Sequence, residues 1–213
     1  MEAVSATCEA GVSSTFVEWA VCARTFPGET ESGDLHLVAP LPTGVLIAVV
    51  DGLGHGPEAA FAARTATASL RERPQDEIAD LMRRCHASLQ RTRGVVMSVA
   101  SIDAETNQMT WLGVGNVDAT LFRADPNAKL ARESLPHRGG VVGFQIPSLR
   151  ITTLSIARGD TLVFATDGIS NNFHAGSPLG WHPQDAADFM VRRYGKDTDD
   201  ALVLVARYLG RPS

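Results

Sequence analysis

The chain has 213 residues, of which 44% are hydrophobic and 20% are charged, values typical of a soluble globular protein and not of a disordered or fibrous one. This length predicts one substantial core, and because no linker or composition shift divides it, we expect a single domain over 1–213, with 1–12 as a loose N-terminal segment. The net charge of -5 provides no basic footprint for a nucleic-acid partner.

Neither a membrane span nor a signal peptide is evident in the sequence. No segment approaches the roughly 18 apolar residues of a transmembrane helix, and the N-terminus lacks the charged-then-apolar order of a secretion signal. Three cysteines, Cys8, Cys22 and Cys85, are odd in number and far apart, which predicts free thiols in a reducing compartment. We therefore expect a cytoplasmic protein without a membrane partner.

The first predicted elements are three strands, over 15–23, 35–38 and 45–50. The sequence LPTG at 41–44 is typical of a turn, so the second and third strands are predicted to form an antiparallel hairpin. The start of one strand in such a hairpin lies beside the end of the next. Asp34 is therefore predicted to lie near Asp51.

The stretch from 45 to 56 organises this part of the chain. Six successive apolar residues at 45–50 favour a strand covered on both faces, and the sequence DGLGHG that follows suggests backbone held close to another group. Pro57 then suits the first turn of a helix, and Glu58 suits its positive end. The pattern predicts a strand, an acidic glycine loop and a helix.

The remaining predicted elements are two helices, a run of strands, a last helix and a closing strand. The helices are expected at 57–73, 75–90 and 183–193, and the strands at 95–102, 108–114, 116–122, 151–156, 161–165 and 201–208. This order predicts an α+β layered domain and not an alternating βαβ fold. Trp111 and Trp181 are expected in the core.

Acidic residues occur where the apolar strands begin or end. Asp167 follows the strand at 161–165, and the pair Asp199-Asp200 stands immediately before the strand at 201–208. If these acids meet Asp34 and Asp51 in space without a basic partner, they repel one another. A hard divalent cation bound through oxygen atoms would resolve that repulsion.

Five short motifs in a fixed order resemble a known family. They are SGD at 32–34, DGLGHG at 51–56, GVGN at 113–116, TDG at 166–168 and DDALVLVA at 199–206. Together they resemble the bacterial branch of the metal-dependent protein phosphatases, the protein phosphatase 2C family, and within it the SpoIIE, RsbU and RsbX group. Because the chain has room for a phosphatase domain alone, it is most similar to the stand-alone RsbX-type phosphatases of the stressosome.

The resemblance implies a four-layer α-β-β-α sandwich of two antiparallel sheets flanked by helices. It also implies two divalent metal ions, Mn²⁺ or Mg²⁺, at one end of the sandwich. The ligands implied by position are Asp51 bridging both ions, Asp34 and the Gly52 carbonyl at one of them, and Asp167 with Asp199 at the other. Asp199 is preferred to Asp200, because Asp200 falls where many members of the family have asparagine.

The activity implied is hydrolysis of phosphoserine or phosphothreonine on a phosphorylated regulatory protein of the stressosome or anti-sigma-factor-antagonist type. A metal-bound water would attack phosphorus directly, so that Asp51 and Asp167 act in catalysis through that water. His55 is a candidate acid catalyst, although a loop histidine without such a role is the more common case. Two departures from the eukaryotic pattern stand out: Leu53 replaces a histidine, and the phosphate-binding arginine has no counterpart.

Two other function classes remain open from the residues alone. A different metal-dependent phosphohydrolase, such as a phosphodiesterase acting on nucleic acid, could use the same carboxylates, but the chain lacks a basic stripe. A catalytically inactive binding module could keep the fold, but an unused cluster of acids would cost stability. A dinucleotide site is disfavoured, because Gly52, Gly54 and Gly56 do not give the spacing G-x-G-x-x-G.

Overall fold

The computed structural model describes residues 6–14, 16–136, 138–175 and 180–211. These residues contain eleven strands, three α-helices and one 3-10 turn at Asn171–Ala175. The strands are β1 (Thr7–Ser14), β2 (Val17–Arg24), β3 (Asp34–Leu41), β4 (Gly44–Gly52), β5 (Val95–Asp103), β6 (Gln108–Val114), β7 (Asp118–Phe122), β8 (Arg132–Ser134), β9 (Thr152–Ser155), β10 (Thr161–Ala165) and β11 (Ala201–Tyr208). The helices are α1 (Pro57–Glu72), α2 (Ile78–Ser88) and α3 (Pro183–Tyr194).

The strands form two antiparallel sheets that pack face to face. The first sheet has the order β1-β2-β11-β10-β7-β8 and the second the order β3-β4-β5-β6-β9. One apolar core lies between the sheets, a second joins α1 and α2 to the second sheet, and a third joins α3 to the first sheet. The predicted α-β-β-α sandwich is therefore confirmed.

Strand β4 shows why its sequence is apolar without interruption. Val45, Ile47 and Val49 face the core between the sheets, whereas the residues between them face α1 and α2. Successive side chains of a strand point to opposite faces, so a strand covered on both faces must be apolar at every position. The prediction of a doubly covered strand is confirmed.

The strand register brings the acidic strand ends to one edge of the sandwich. Asp34 pairs directly with Asp51 in the β3–β4 hairpin, as the turn chemistry predicted. Strands β10 and β11 are also antiparallel neighbours, with Ala165 opposite Val203. The end of β10 therefore lies beside the start of β11, which places Asp167 near Asp199.

The N-terminal prediction is wrong for residues 7–12. They belong to strand β1, which pairs antiparallel with β2 along the edge of the first sheet. Residues 1–5 lie outside the described part of the chain. An edge strand can form through backbone hydrogen bonds to its neighbour alone, without a marked apolar pattern of its own.

The prediction of three free thiols is also wrong. Cys8 and Cys22 are direct partners across β1 and β2, with their Cα atoms 4.1 Å apart, and they form a disulfide. Cys85 is free, as predicted, and it is buried.

Of the two tryptophans expected in the core, Trp111 is buried, but Trp181 is 51% exposed. In the described part of the chain, no helix is both long and apolar enough to cross a membrane.

Candidate metal centre

The loop after β4 turns sharply onto the start of α1. A Cβ atom at Gly52 would overlap the carbonyl oxygen of Ala59, so only glycine allows this approach. Gly33 is similarly confined: a Cβ there would lie 2.9 Å from Ala59 Cβ and 3.2 Å from the Gly52 carbonyl oxygen. The two glycines let backbone from both strands of the hairpin crowd around the acidic residues.

Asp34 is buried at the centre of this region, with only 4% of its surface exposed. The hydroxyl of Thr166 donates a hydrogen bond to Asp34 Oδ2 over 2.7 Å. The same hydroxyl accepts a hydrogen bond from the Leu202 amide over 2.9 Å. Thr166 therefore connects the ends of β10 and β11 to the start of β3, and it fixes the Asp34 carboxyl.

Asp200 is 3% exposed and both of its carboxylate oxygens accept backbone hydrogen bonds. The Phe26 amide donates to Oδ1 and the Gly33 amide to Oδ2, each over 2.7 Å. Asp200 thus anchors the loop of residues 26–33, which precedes Asp34. Its hydrogen bonds mark it as a structural residue.

Asp199 differs from its neighbour in exposure and in partners. It is partly exposed, and its Oδ1 accepts a hydrogen bond from the Asp200 amide over 2.9 Å. Within the described residues, Asp199 Oδ2 has no hydrogen-bond partner from the protein. That oxygen is available to a ligand.

Asp167 is oriented by Asn116, which lies just before β7. The Asn116 side-chain amide donates to Asp167 Oδ2 over 2.8 Å. The Lys196 ammonium donates to the main-chain carbonyl of Asp167 over 2.6 Å. The side chain and the backbone of Asp167 are therefore each held by a separate segment.

Burial, reinforced by mutual repulsion, raises the pKa values of the clustered acids. Burial, followed by the charge of Asp51, raises the pKa of Asp34 well above its ordinary value. Burial, followed by the charges of Asp167, Asp199 and Asp200, raises the pKa of Asp51 to about 8. The pKa of Asp199 is raised as well, chiefly by burial. The folded chain thus holds several carboxyl groups in positions that disfavour their charged form.

This donor set fits a hard divalent cation. Each candidate ligand, whether a carboxylate or the Gly52 carbonyl, offers oxygen, which Mg²⁺ and Mn²⁺ prefer. A cation would lower the pKa values of Asp34 and Asp51, which burial and mutual repulsion raise, because it favours their charged forms.

His55 lies at the rim of the acidic cluster. Its Nδ1 is 2.7 Å from Glu29 Oε1, and its ring packs on Phe26 with the ring centroids 4.6 Å apart. The Coulombic effect of His55 lowers the pKa of Asp199, against the larger effect of burial. Leu53, in the position where the eukaryotic enzymes have histidine, is partly exposed.

The structure brings together all the residues that the sequence predicted as ligands: Asp34, Asp51, Gly52, Asp167 and Asp199. Sequence reasoning gave no role to Thr166 or Asn116, which orient two of them. Both stand inside quoted motifs, Thr166 in TDG and Asn116 in GVGN. Their position in these motifs could have suggested a role at the site, but a polar residue beside an aspartate does not reveal which carboxylate it contacts.

Comparison with known proteins gives one family and several related folds. Residues 42–209 match the family described as Stage II sporulation protein E (SpoIIE). The phosphoserine phosphatase RsbX of Bacillus subtilis (strain 168) is 24% identical over 143 residues, which are 67% of this chain and 70% of RsbX.

Two solved structures are similar over most of this chain. One comes from the study "The bacterial stressosome: a modular system that has been adapted to control secondary messenger signaling"; it is 28% identical with a TM-score of 0.82, covering 90% of this chain and 99% of that one. The other is RsbX in complex with magnesium, which is 18% identical with a TM-score of 0.83 and covers 95% of this chain and 100% of that one. The second likeness is one of fold.

Proposed function

The chain belongs to the SpoIIE family, and from that premise we propose that it is a metal-dependent protein phosphatase acting on phosphoserine or phosphothreonine in a regulatory partner protein. The observation that carries the proposal is the gathering of acids from four strand ends at one edge of the sandwich. Its relative RsbX, a phosphoserine phosphatase, supports the substrate class.

We assign the metal-holding role to the five residues that the resemblance implied, namely Asp34, Asp51, the Gly52 carbonyl, Asp167 and Asp199. Two divalent ions, Mn²⁺ or Mg²⁺, fit this number of carboxylates. When bound, such ions lower the pKa of a water for attack on phosphorus and neutralise the phosphoryl oxygens.

The protein's own residues prepare the site in three ways. Thr166 and Asn116 fix the Asp34 and Asp167 carboxyl groups through hydrogen bonds of 2.7 and 2.8 Å. Asp200 fixes the loop that leads into Asp34. Asp51, whose pKa is raised to about 8, favours its protonated form in the metal-free protein, and a cation bound there would favour release of that proton.

His55 is the proposed proton donor to the departing serine or threonine oxygen. Glu29 holds its Nδ1, which leaves Nε2 as the atom that would face the substrate. His55→Asn should slow hydrolysis of a phosphoserine peptide by about 10-fold or more. It should leave hydrolysis of p-nitrophenyl phosphate nearly unchanged, since that leaving group needs no proton. Equal rate losses on both substrates would remove this role.

The partner we propose is a phosphorylated stressosome or anti-sigma-factor-antagonist type protein, and neither nucleic acid nor a membrane. The stressosome relative and RsbX support this choice. A cytoplasmic location and a single phosphatase domain over 1–213 remain predictions from the sequence.

Phosphate release from a panel of phosphopeptides, with and without Mn²⁺ or Mg²⁺, tests the proposed function. Release from phosphoserine and phosphothreonine peptides should need the added cation, stop with a chelator and be lost in Asp51→Asn. Full activity in excess chelator would contradict the two-metal site. A preference for phosphotyrosine or nucleic acid would contradict the substrate class.

A further inference from the structure

A cavity of about 200 Å³ opens beside Asp167. Phe173 contributes to its apolar wall. Its polar lining comes from two carboxylates, one cation and three uncharged side chains, namely Asp118, Asp167, Lys196, Asn116, Thr166 and Asn171. The cavity is therefore continuous with a carboxylate of the candidate metal centre, and its wall includes hydrogen-bond donors and one cation.

Lys196 is one of only two lysines in the chain, the other being Lys129. Its amide donates to the Gly168 carbonyl over 2.8 Å, and its ammonium donates to the Asp167 carbonyl over 2.6 Å. An ammonium has three donor hydrogens, so two remain for another acceptor. Among the described residues, no carboxylate lies within ion-pair distance of Lys196, so its charge is not neutralised.

Two arginines near the centre are engaged elsewhere. The Arg24 guanidinium donates a hydrogen bond to the Lys196 carbonyl, and its Nη1 lies 3.1 Å from Asp197 Oδ1. Arg93, next to Gly54, pairs with Glu58 at the start of α1. Asp118, the second acid in the cavity wall, has its Oδ2 3.1 Å from His174 Nε2. Lys196 is therefore the cation positioned to act in the cavity.

We propose that this cavity receives the phosphoryl group of the substrate and that the Lys196 ammonium contacts one of its non-bridging oxygens. The inference rests on the proposed function and adds to it the phosphate-binding residue for which the sequence offered no arginine. A phosphate dianion entering a region of carboxylates meets repulsion that a nearby unpaired cation reduces. Lysine suits this position, because its charge is compact and its stem is flexible.

Binding of inorganic phosphate to the manganese-bound protein tests the proposal directly. It is measured by calorimetry and, independently, as product inhibition of p-nitrophenyl phosphate hydrolysis. Lys196→Gln should weaken phosphate binding about 10-fold or more, the usual effect of losing a charge-assisted hydrogen bond. Lys196→Arg should recover most of the affinity, and Lys129→Gln, which alters an exposed loop, should match the wild type.

Manganese affinity separates a phosphate contact from a structural role. If Lys196 acts on phosphate, the dissociation constant for Mn²⁺ stays within about twofold in Lys196→Gln. If Lys196 serves only to hold the Asp167 backbone, manganese and phosphate binding weaken together, and the proposal is overturned. Unchanged phosphate binding in Lys196→Gln overturns it as well.

A second variant keeps the test decisive if Lys196→Gln does not fold. Asn171→Asp places a carboxylate in the same cavity wall and should weaken phosphate binding, while the uncharged Asn171→Ser should not. Equal phosphate binding by the two Asn171 variants would then overturn the proposal. A wild type that binds phosphate through Lys196 but hydrolyses no phosphopeptide would contradict the proposed function and leave the phosphate site standing.

Discussion

The neighbouring acids Asp199 and Asp200 should respond in opposite ways to the same substitution. Asp199→Asn keeps the oxygen that accepts the Asp200 amide, so its fold should be preserved. It loses the charge of a proposed metal ligand. Replacing even a residue outside the first coordination sphere lowers metal affinity or activity by about 10–100-fold. We therefore expect turnover to fall by about 100-fold or more.

Asp200→Asn should instead lower stability. The aspartate accepts two buried backbone hydrogen bonds, each of 2.7 Å, and asparagine must turn its NH₂ group toward one of those amides. Leaving a buried donor unsatisfied costs about 1–3 kcal/mol, although removing one charge from an acidic cluster offsets part of this. A net loss of about 1 kcal/mol lowers Tm by about 2–4 °C in a domain of this size.

The assay pairs thermal unfolding of the metal-free proteins with steady-state turnover in saturating Mn²⁺. Asp199→Asn should match or exceed the wild-type Tm, because it removes a repelling charge and keeps its hydrogen bond, but it should lose turnover. Asp200→Asn should have a lower Tm and keep much of its turnover. A variant pair with equal turnover losses, or with the order reversed, would refute the assignment of Asp199 as the ligand and Asp200 as the anchor.

Three further predictions use other features of the site. Since the pKa of Asp51 is raised to about 8 and that of Asp34 is raised well above its ordinary value, the native state binds more protons than the unfolded state between about pH 4 and 8. The Tm of the metal-free protein should therefore fall by at least about 5 °C as pH rises through that window. Saturating Mn²⁺ should make Tm depend less on pH. A Tm that rises with pH would contradict the raised pKa values. Gly168→Ala should cost about 3 kcal/mol and most of the turnover, because its Cβ would overlap the Asp200 carbonyl oxygen, whereas Gly139→Ala, with open space around it, should be neutral in both melting and turnover assays. An intact phosphorylated partner should be hydrolysed with a higher kcat/KM than its phosphopeptide, because a larger interface supplies affinity. The Asp51→Asn variant should still bind that partner in a pull-down or by calorimetry. Equal kcat/KM values for protein and peptide would remove the case for docking.

The strand ends of the candidate site could be predicted because local signals determine them. A turn signal at 41–44 and two apolar runs set the β3–β4 hairpin, and the pairing of Asp34 with Asp51 followed from its geometry. Strands β10 and β11 have the predicted bounds for the same reason, because each is a compact apolar run with clear breaks at both ends. Strand β6 also has its predicted bounds. Burial on both faces makes such runs easy to recognise.

Features that depend on contacts between distant segments could not be predicted. The pairing of Cys8 with Cys22 follows from the register of β1 on β2, and nothing in the composition of residues 7–12 marks them as a strand. Trp181 precedes α3 and packs its ring against that of Phe189, with the ring centroids 5.6 Å apart, but half of the side chain stays exposed. In each case the chemistry of the residue is visible in the sequence, but its neighbour is not.

Two groups of acids can be distinguished, those whose carboxylates are fully hydrogen-bonded by the protein and those that are candidate metal ligands. Asp160 is as buried as Asp200, and its oxygens accept hydrogen bonds from the Ala124 and Ala157 amides and from Arg123. Such carboxylates stabilise loops and need nothing from outside the chain.

Asp34, Asp51 and Asp199 have fewer hydrogen bonds from the protein, and burial together with neighbouring charges raises the pKa of each. A fold that keeps these groups together without a cation is destabilised by them, and the binding of a divalent ion converts that repulsion into affinity. The same cluster of carboxylates repels a phosphate dianion, which therefore needs an additional cation to enter the cavity beside Asp167. Among the described residues, the Lys196 ammonium is bonded to the Asp167 backbone and to no carboxylate, so its charge is available to the phosphate.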